Sequence, residues 1–266
     1  MSDDEIFATL RRSRRVWAVA SIHGEDKRVN ALHRALAERL RTGDRIVYLG
    51  NYLGRGADVR ATIDNMLRFR RAVIARPGMF AADVVYLRGS QEEMWHKLLQ
   101  LQFAPNPAEV LSWMLDQGMG TTLAAYGGDP EQGLVSARQG AVALTRWTGT
   151  LRNAVHAAAG HDALMASLRR AAFTDDGALL FVHAGLDPSR PLSTQSDSLW
   201  WGGEGFLRIT EPYAGFRRII RGFERDHSGV GLTEWTASID GGCGFGGKLI
   251  AACFEAQGGI AETIEA

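Results

Sequence analysis

Five short stretches of this sequence run an apolar segment into a glycine and set side chains capable of chemistry beside it. They are ASIHG (20–24), GNYLGRG (50–56), RGSQE (88–92), VHAG (182–185) and IRGFE (220–224). Their polar content includes the imidazoles of His23 and His183, the guanidiniums of Arg55 and Arg88, and the neutral groups of Ser21, Asn51, Ser90 and Gln91. Imidazole binds metal ions and moves protons near neutral pH, and it serves equally well as a hydrogen-bonded core residue. Guanidinium matches phosphate or carboxylate with two parallel hydrogen bonds. The chemistry within reach is therefore anion binding. Metal-assisted chemistry needs more, because catalytic zinc or iron takes about three strong protein ligands per ion.

Those stretches need elements to hold them. Residues 16–22 (VWAVASI), 45–49 and 84–87 read as buried strands, separated by helical apolar spacing over 30–40 and 58–71. Strand, helix, strand, helix, strand implies a mainly parallel sheet with crossover helices. Between about 92 and 170 helical patterns dominate, broken by Pro105, Pro107 and the GGDP turn at 127–130. Strands then resume at 177–183 and around 217–222, so this helical stretch reads as a cap inserted into one domain. Segments 235–240 and 248–255, joined through GGCGFGG, read as a closing hairpin. Residues 1–15 read as a short helical or frayed N-terminal arm with a basic cluster at Arg11, Arg12, Arg14 and Arg15, and residues 16–266 as a single domain.

The bulk composition is that of an ordinary globular protein. At 266 residues, 45% hydrophobic and 23% charged, the chain buries a full core. Thirty basic and thirty acidic residues cancel, which gives no signal for nucleic acid or an anionic membrane. Cys243 and Cys253 are too few for a disulfide framework and fit reduced core thiols. No apolar run approaches the ~18 residues of a membrane span, and the charged start MSDDEIFATLRRSRR lacks the apolar middle of a signal peptide. A cytoplasmic location is the expectation.

The five stretches, in this order and separation, resemble the calcineurin-like metallophosphoesterase series GDxHG, GDxxDRG, GNHE, HAG and GH. The segment FVHAGLDPSRPLSTQ (181–195) is similar to the bacterial phosphoprotein-phosphatase form, and SIDGGCGFGGKLIAACFE (238–255) to the family's closing pattern. The resemblance covers residues 16–255. It implies an α/β fold of the four-layer αββα sandwich type with a helical cap, in which the motif turns converge on two divalent ions. There a metal-bound hydroxide attacks phosphorus. A histidine of GNHE protonates the leaving group, and the second Asp of GDxxDRG orients that histidine.

Carried over position by position, most of that apparatus is absent. Ser21 stands for the first Asp, Asn51 for the bridging Asp, Ser90 for the Asn ligand and Phe223 for the last histidine. Gln91 replaces the catalytic histidine and Gly54 the Asp that would orient it, a paired loss. His23 and His183 remain, leaving one good ligand per ion. The resemblance thus implies an inactive relative, a pseudophosphatase that binds a phosphorylated ligand or a protein, with no cofactor. Arg55 and Arg88, which match the phosphate-gripping arginines, are its anion contacts unless they pair with acids such as Asp26, Asp58 or Glu92. The alternative is an active phosphoesterase using one divalent ion (Mn, Fe or Zn) held by His23, Asn51 and His183. His227 is read as a surface histidine that could substitute for Phe223.

Overall fold

Period-two alternation builds the centre of the molecule. In the computed structural model, which describes residues 6–266, β2 (Arg15–Val19) sends Trp17 and Val19 to one face and Val16 and Ala18 to the other, all buried. A strand buried on both faces lies inside a layered fold. β2 pairs in parallel with β3 (Asp44–Tyr48), and β3 with β4 (Val84–Tyr86). β10 (Ile250–Glu255) lies antiparallel on the other side of β2, with β11 (Ile260–Glu265) outside it, giving a five-stranded sheet in the order β11-β10-β2-β3-β4. The second sheet has six strands: β1 (Phe7–Leu10), β5 (Ala171–Thr174), β6 (Leu179–Val182), β7 (Arg218–Arg221), β9 (Thr236–Asp240) and β8 (Gly229–Leu232), in that order.

The sheets face each other across an apolar layer that includes Val47, Leu49, Phe181, Ile220, Ile239 and Phe254. Phe181 and Phe254 meet edge to face across it at 6.2 Å. Helices α1 (Asp26–Arg39) and α2 (Val59–Ile74) cover the outer face of the five-stranded sheet. Six further helices follow: α3 (Ser90–Leu98), α4 (Pro107–Met114), α5 (Gly120–Ala125), α6 (Pro130–Gln139), α7 (Ala141–Ala157) and α8 (His161–Ala166). Trp95, Leu111, Leu123, Trp147 and Leu151 of these helices join the same core as α1 and α2, so the cap is continuous with the sheet's own packing. Two short helices, α9 (Ser198–Trp201) and α10 (Gly203–Leu207), lie on the outer face of the six-stranded sheet through Leu199 and Phe206. Among the described residues no helix is long and apolar enough to cross a membrane.

Two expectations fail here. The arm is neither helical nor frayed over Phe7–Leu10, which pairs in parallel with Ala171–Thr174 as an edge strand, and residues 1–5 lie outside the described residues. Four residues, FATL, are too short for their pattern to stand out from a helical one. Segments 235–240 and 248–255 form no hairpin, because β9 belongs to the six-stranded sheet and β10 to the five-stranded one. The glycine-rich loop between them passes from one sheet to the other, a move that local pattern does not distinguish from a hairpin turn. Strands β5, β8 and β11 were not expected.

Candidate functional site

The two sheets are joined at the carboxyl ends of β2, β3, β6 and β7. The Ser21 N–H donates to the Gly222 carbonyl (3.0 Å), tying the end of β2 in one sheet to the end of β7 in the other. His23 N–H donates to Asn51 O (2.6 Å), and the N–H groups of Gly222 and Phe223 both donate to His183 O. Gly50, at φ +96°, lies where a Cβ would come within 2.6 Å of the Gly89 backbone and 2.8 Å of His183 Nδ1, so only glycine allows three of the turns to meet. His23 (φ 56°) and Asn51 (φ 55°) are left-handed without being glycine. Such conformations persist where their surroundings over-determine them.

Neutral hydrogen bonds fill the centre. Asn51, fully buried, accepts at Oδ1 from the Ser90 hydroxyl (3.0 Å) and the Gln91 N–H (2.9 Å). With its oxygen engaged, the Asn51 amide nitrogen donates to His23 Nε2 (3.3 Å), which places the imidazole proton on Nδ1. Glu92, also buried, accepts from the N–H groups of Gly89, Asn51, Tyr52 and Leu53 at 2.8–3.1 Å and so clamps two turns together. Gln91 and Gly54 fit each other: a Cβ on Gly54 would lie 2.5 Å from Gln91 Oε1. The Gln91 amide donates to Gln117 O (2.9 Å) in the π-turn Leu115–Met119 of the cap.

An aromatic layer covers this web. Phe223 stacks on His183 (ring centroids 5.4 Å, interplanar 10°) and lies 6.0 Å from His23. Phe245, from the glycine-rich loop, meets His23 edge to face at 5.3 Å and His227 at 4.1 Å. His183 donates from Nδ1 to Leu49 O (2.7 Å), leaving Nε2 bare, and burial pushes its pKa down to about 4. His23 is held well below its ordinary value by burial and then by the neighbouring His183, Arg55 and His227. His227 is not a free surface residue: its Nδ1 lies 2.7 Å from the buried carboxylate of Asp240.

The two arginines have different fates. Arg55 lines a cleft of about 790 Å³, has no carboxylate partner among the described residues, and lies 4.1 Å over the Phe245 ring with its Nε–H unpartnered. Burial alone lowers its pKa. Arg88 is paired with Glu93 at 3.1 Å, a different acid from those expected, and is absent from the cleft lining. Trp201 reaches the cleft rim, where it meets Trp113 of the cap edge to face at 6.0 Å.

This donor set does not fit a pair of divalent ions. Ser21, Asn51 and Ser90 offer no carboxylate, Asn51 Oδ1 is engaged by Ser90 and Gln91, His23 Nε2 accepts from the Asn51 amide, and Phe223 covers His183. Among the described residues no three His, Cys, Asp or Glu side chains gather as a metal group. Ser21 Oγ, His23 Nδ1, Arg55 Nε, Gln91 Oε1 and His183 Nε2 are buried and unpartnered, a mixture of donors and acceptors. Sequence reasoning missed Phe245, Asp240 and Gln117. A glycine-rich loop after a strand was the available signal for Phe245; the other two had none.

No family model matches the chain, and no curated protein matches it. Solved structures do. The crystal structure of a proposed diadenosine tetraphosphatase aligns with TM-score 0.57 and 17% identity over 98% of this chain and 98% of that one. A serine/threonine phosphatase from Saccharomyces cerevisiae aligns with TM-score 0.55 and 14% identity over 99% of this chain and 84% of that one. At these identities the likeness is one of fold: the chain has the two-sheet fold of these phosphatase structures.

Proposed function

We propose that this phosphatase-fold protein is a pseudophosphatase: it binds a phosphorylated ligand in the cleft above Asn51 and does not hydrolyse it. The observation that carries this reading is the closed web of neutral hydrogen bonds at the metal positions. Asn51 accepts from Ser90 and Gln91 while donating to His23, so Asn51, Ser90 and His23 Nε2 are engaged with one another or their neighbours, and Ser21 Oγ and His183 Nε2 alone stay open at these positions among the described residues. The paired Gly54 and Gln91 support it, since the general acid and its orienting carboxylate are both absent and the replacements pack together. Arg55 is the anion contact, a cleft-wall guanidinium with no ion pair among the described residues, in a cleft whose lining also carries Asp187, Glu204, Glu224 and Asp226. Arg88, held by Glu93, supports the turn and meets the ligand only by giving up that pair. A single-ion phosphoesterase is the competing reading, and the bare Nε2 of His183 is what favours it.

Metal analysis of protein purified without chelator, with a phosphomonoester assay in added Mn²⁺, separates the two. Substoichiometric metal and no turnover are expected. Near-stoichiometric metal with turnover abolished by His23→Ala would sink the pseudophosphatase reading. Phosphate titration is expected to weaken about tenfold in Arg55→Ala, the scale of one charge-assisted contact.

A further inference from the structure

The six-stranded sheet has β1 at one edge and β8 at the opposite one. β8 runs antiparallel to β9, with Gly229 opposite Asp240, Val230 opposite Ile239, Gly231 opposite Ser238 and Leu232 opposite Ala237. Just beyond, the Thr233 N–H donates to Thr236 O (2.9 Å), which makes those two a hydrogen-bonded pair. Hydrogen-bonded and non-hydrogen-bonded pairs alternate along an antiparallel ladder. Gly229 and Gly231 therefore turn their backbone groups toward β9, and Val230 and Leu232 turn theirs away from the sheet. Among the described residues no strand pairs with that outer side.

The side chains on this edge are apolar as well. Ile239 and Ala237 belong to the layer between the sheets, so Val230 and Leu232 continue that layer, yet both are exposed where it reaches the edge. Free edges are ordinarily blunted by charges, proline or a bulge. β11, an edge of the other sheet, follows that rule: it carries Glu262 and Glu265, and its register on β10 shifts between Cys253 and Phe254. β8, with the sequence GVGL, has none of these devices. Its interior glycine has no cause within one chain. Gly231 lacks the left-handed φ of Gly229, and a Cβ on it would meet nothing within 4 Å. A glycine inside a strand weakens it and often marks the close approach of another backbone.

The strand is complementary to itself. Antiparallel pairing of two copies about a two-fold axis at Gly231 sets Val230 of each against Leu232 of the other, and their outward N–H and C=O groups bond on both sides of the axis. Ser228 then comes opposite Glu234, so no like charges meet. We propose that β8 is a dimerisation edge whose occupant is a second copy of this chain, joining two six-stranded sheets into one. Sedimentation of the full chain is expected to show mass rising from one chain toward two as concentration increases, since so short a pairing is weak. V230K/L232K sets lysine against lysine and is expected to leave only monomer. V230K/L232E sets opposite charges face to face in this register alone and is expected to restore the dimer. G231C is expected to cross-link two chains on mild oxidation, because Cα atoms of a non-hydrogen-bonded pair lie about 4.5 Å apart, within disulfide reach. Cys243 and Cys253 do not compete, being buried with thiols pushed up to about 12. All three positions are exposed, and circular dichroism checks that the variants fold. A wild type that stays monomeric, a dimer that survives V230K/L232K, or V230K/L232E and G231C chains that do not pair overturns the proposal.

Discussion

At the scale of single residues, the site records substitutions that fit one another, and the fit is measurable. Gly54 holds φ at +90°, and a Cβ there would collide with Gln91 at 2.5 Å. Gly54→Ala is therefore expected to destabilise by about 1–3 kcal/mol in urea denaturation, through the left-handed backbone and the crowded contact together. Gln91→Ala empties the contact, so the double variant is expected to lose less than the sum of the singles, by about 0.5–3 kcal/mol. Strict additivity would assign the whole cost to the backbone and dissolve the pairing. Gly54 and Gln91 were both visible in the sequence as departures from the motif it resembles. What was not visible is that Arg88 pairs with Glu93 and that Phe245 covers His23: those contacts are made by side chains whose rotamers depend on the assembled turns.

At the scale of elements, buried polar bridges fix how helices lie on the five-stranded sheet. The His33 ring on α1 sits 2.7 Å from the hydroxyl of Tyr48 on β3 and 2.9 Å from Asn65 Oδ1 on α2, and it stacks on Phe69 at 4.0 Å. Burial drives its pKa from 6.5 down to about 4. The folded state thus refuses a proton that the unfolded chain accepts. The contribution is whole above pH 6.5 and is lost as pH falls from 6.5 toward 4, at a slope of about 1.4 kcal/mol per pH unit for one such histidine. Urea melts at pH 7 and pH 5 are expected to show lower stability at pH 5, and His33→Gln is expected to flatten that difference. An unchanged slope in the variant would place the acid sensitivity elsewhere, with His183 the next group to replace. The helices and the three parallel strands of this half were legible because their periodicities are long and regular. β1 and the passage from β9 to β10 were not, since a four-residue strand and a glycine-rich turn look alike whichever sheet they serve.

At the scale of the molecule, the site is the seam between two sheets, and what closes a seam contributes to the stability of the whole. In a di-metal phosphoesterase the ions bind ligands from both sheets. Here the Ser21–Gly222 backbone bond and the His183 Nδ1–Leu49 O hydrogen bond bridge the two sheets at the same place. A ligand that binds only the folded state stabilises it by ~2.7 kcal/mol at a hundredfold excess over its Kd, which for a chain of this size is roughly 5–10 °C in Tm. Added Mn²⁺ or prolonged dialysis against chelator is expected to leave Tm unchanged, and a rise of that size with Mn²⁺ would return the ion to the site. Ser21→Asp/Asn51→Asp supplies the positive control. Two carboxylates placed in a dry seam repel each other and take up protons, so the variant is expected to melt lower than wild type without metal. Its Tm should then climb with Mn²⁺, because the new carboxylates join His23 as a ligand set. If the variant gains nothing from Mn²⁺, the aromatic cover of Phe223 and Phe245 excludes the ion independently of charge, and Phe223→His added to the pair becomes the step that admits it.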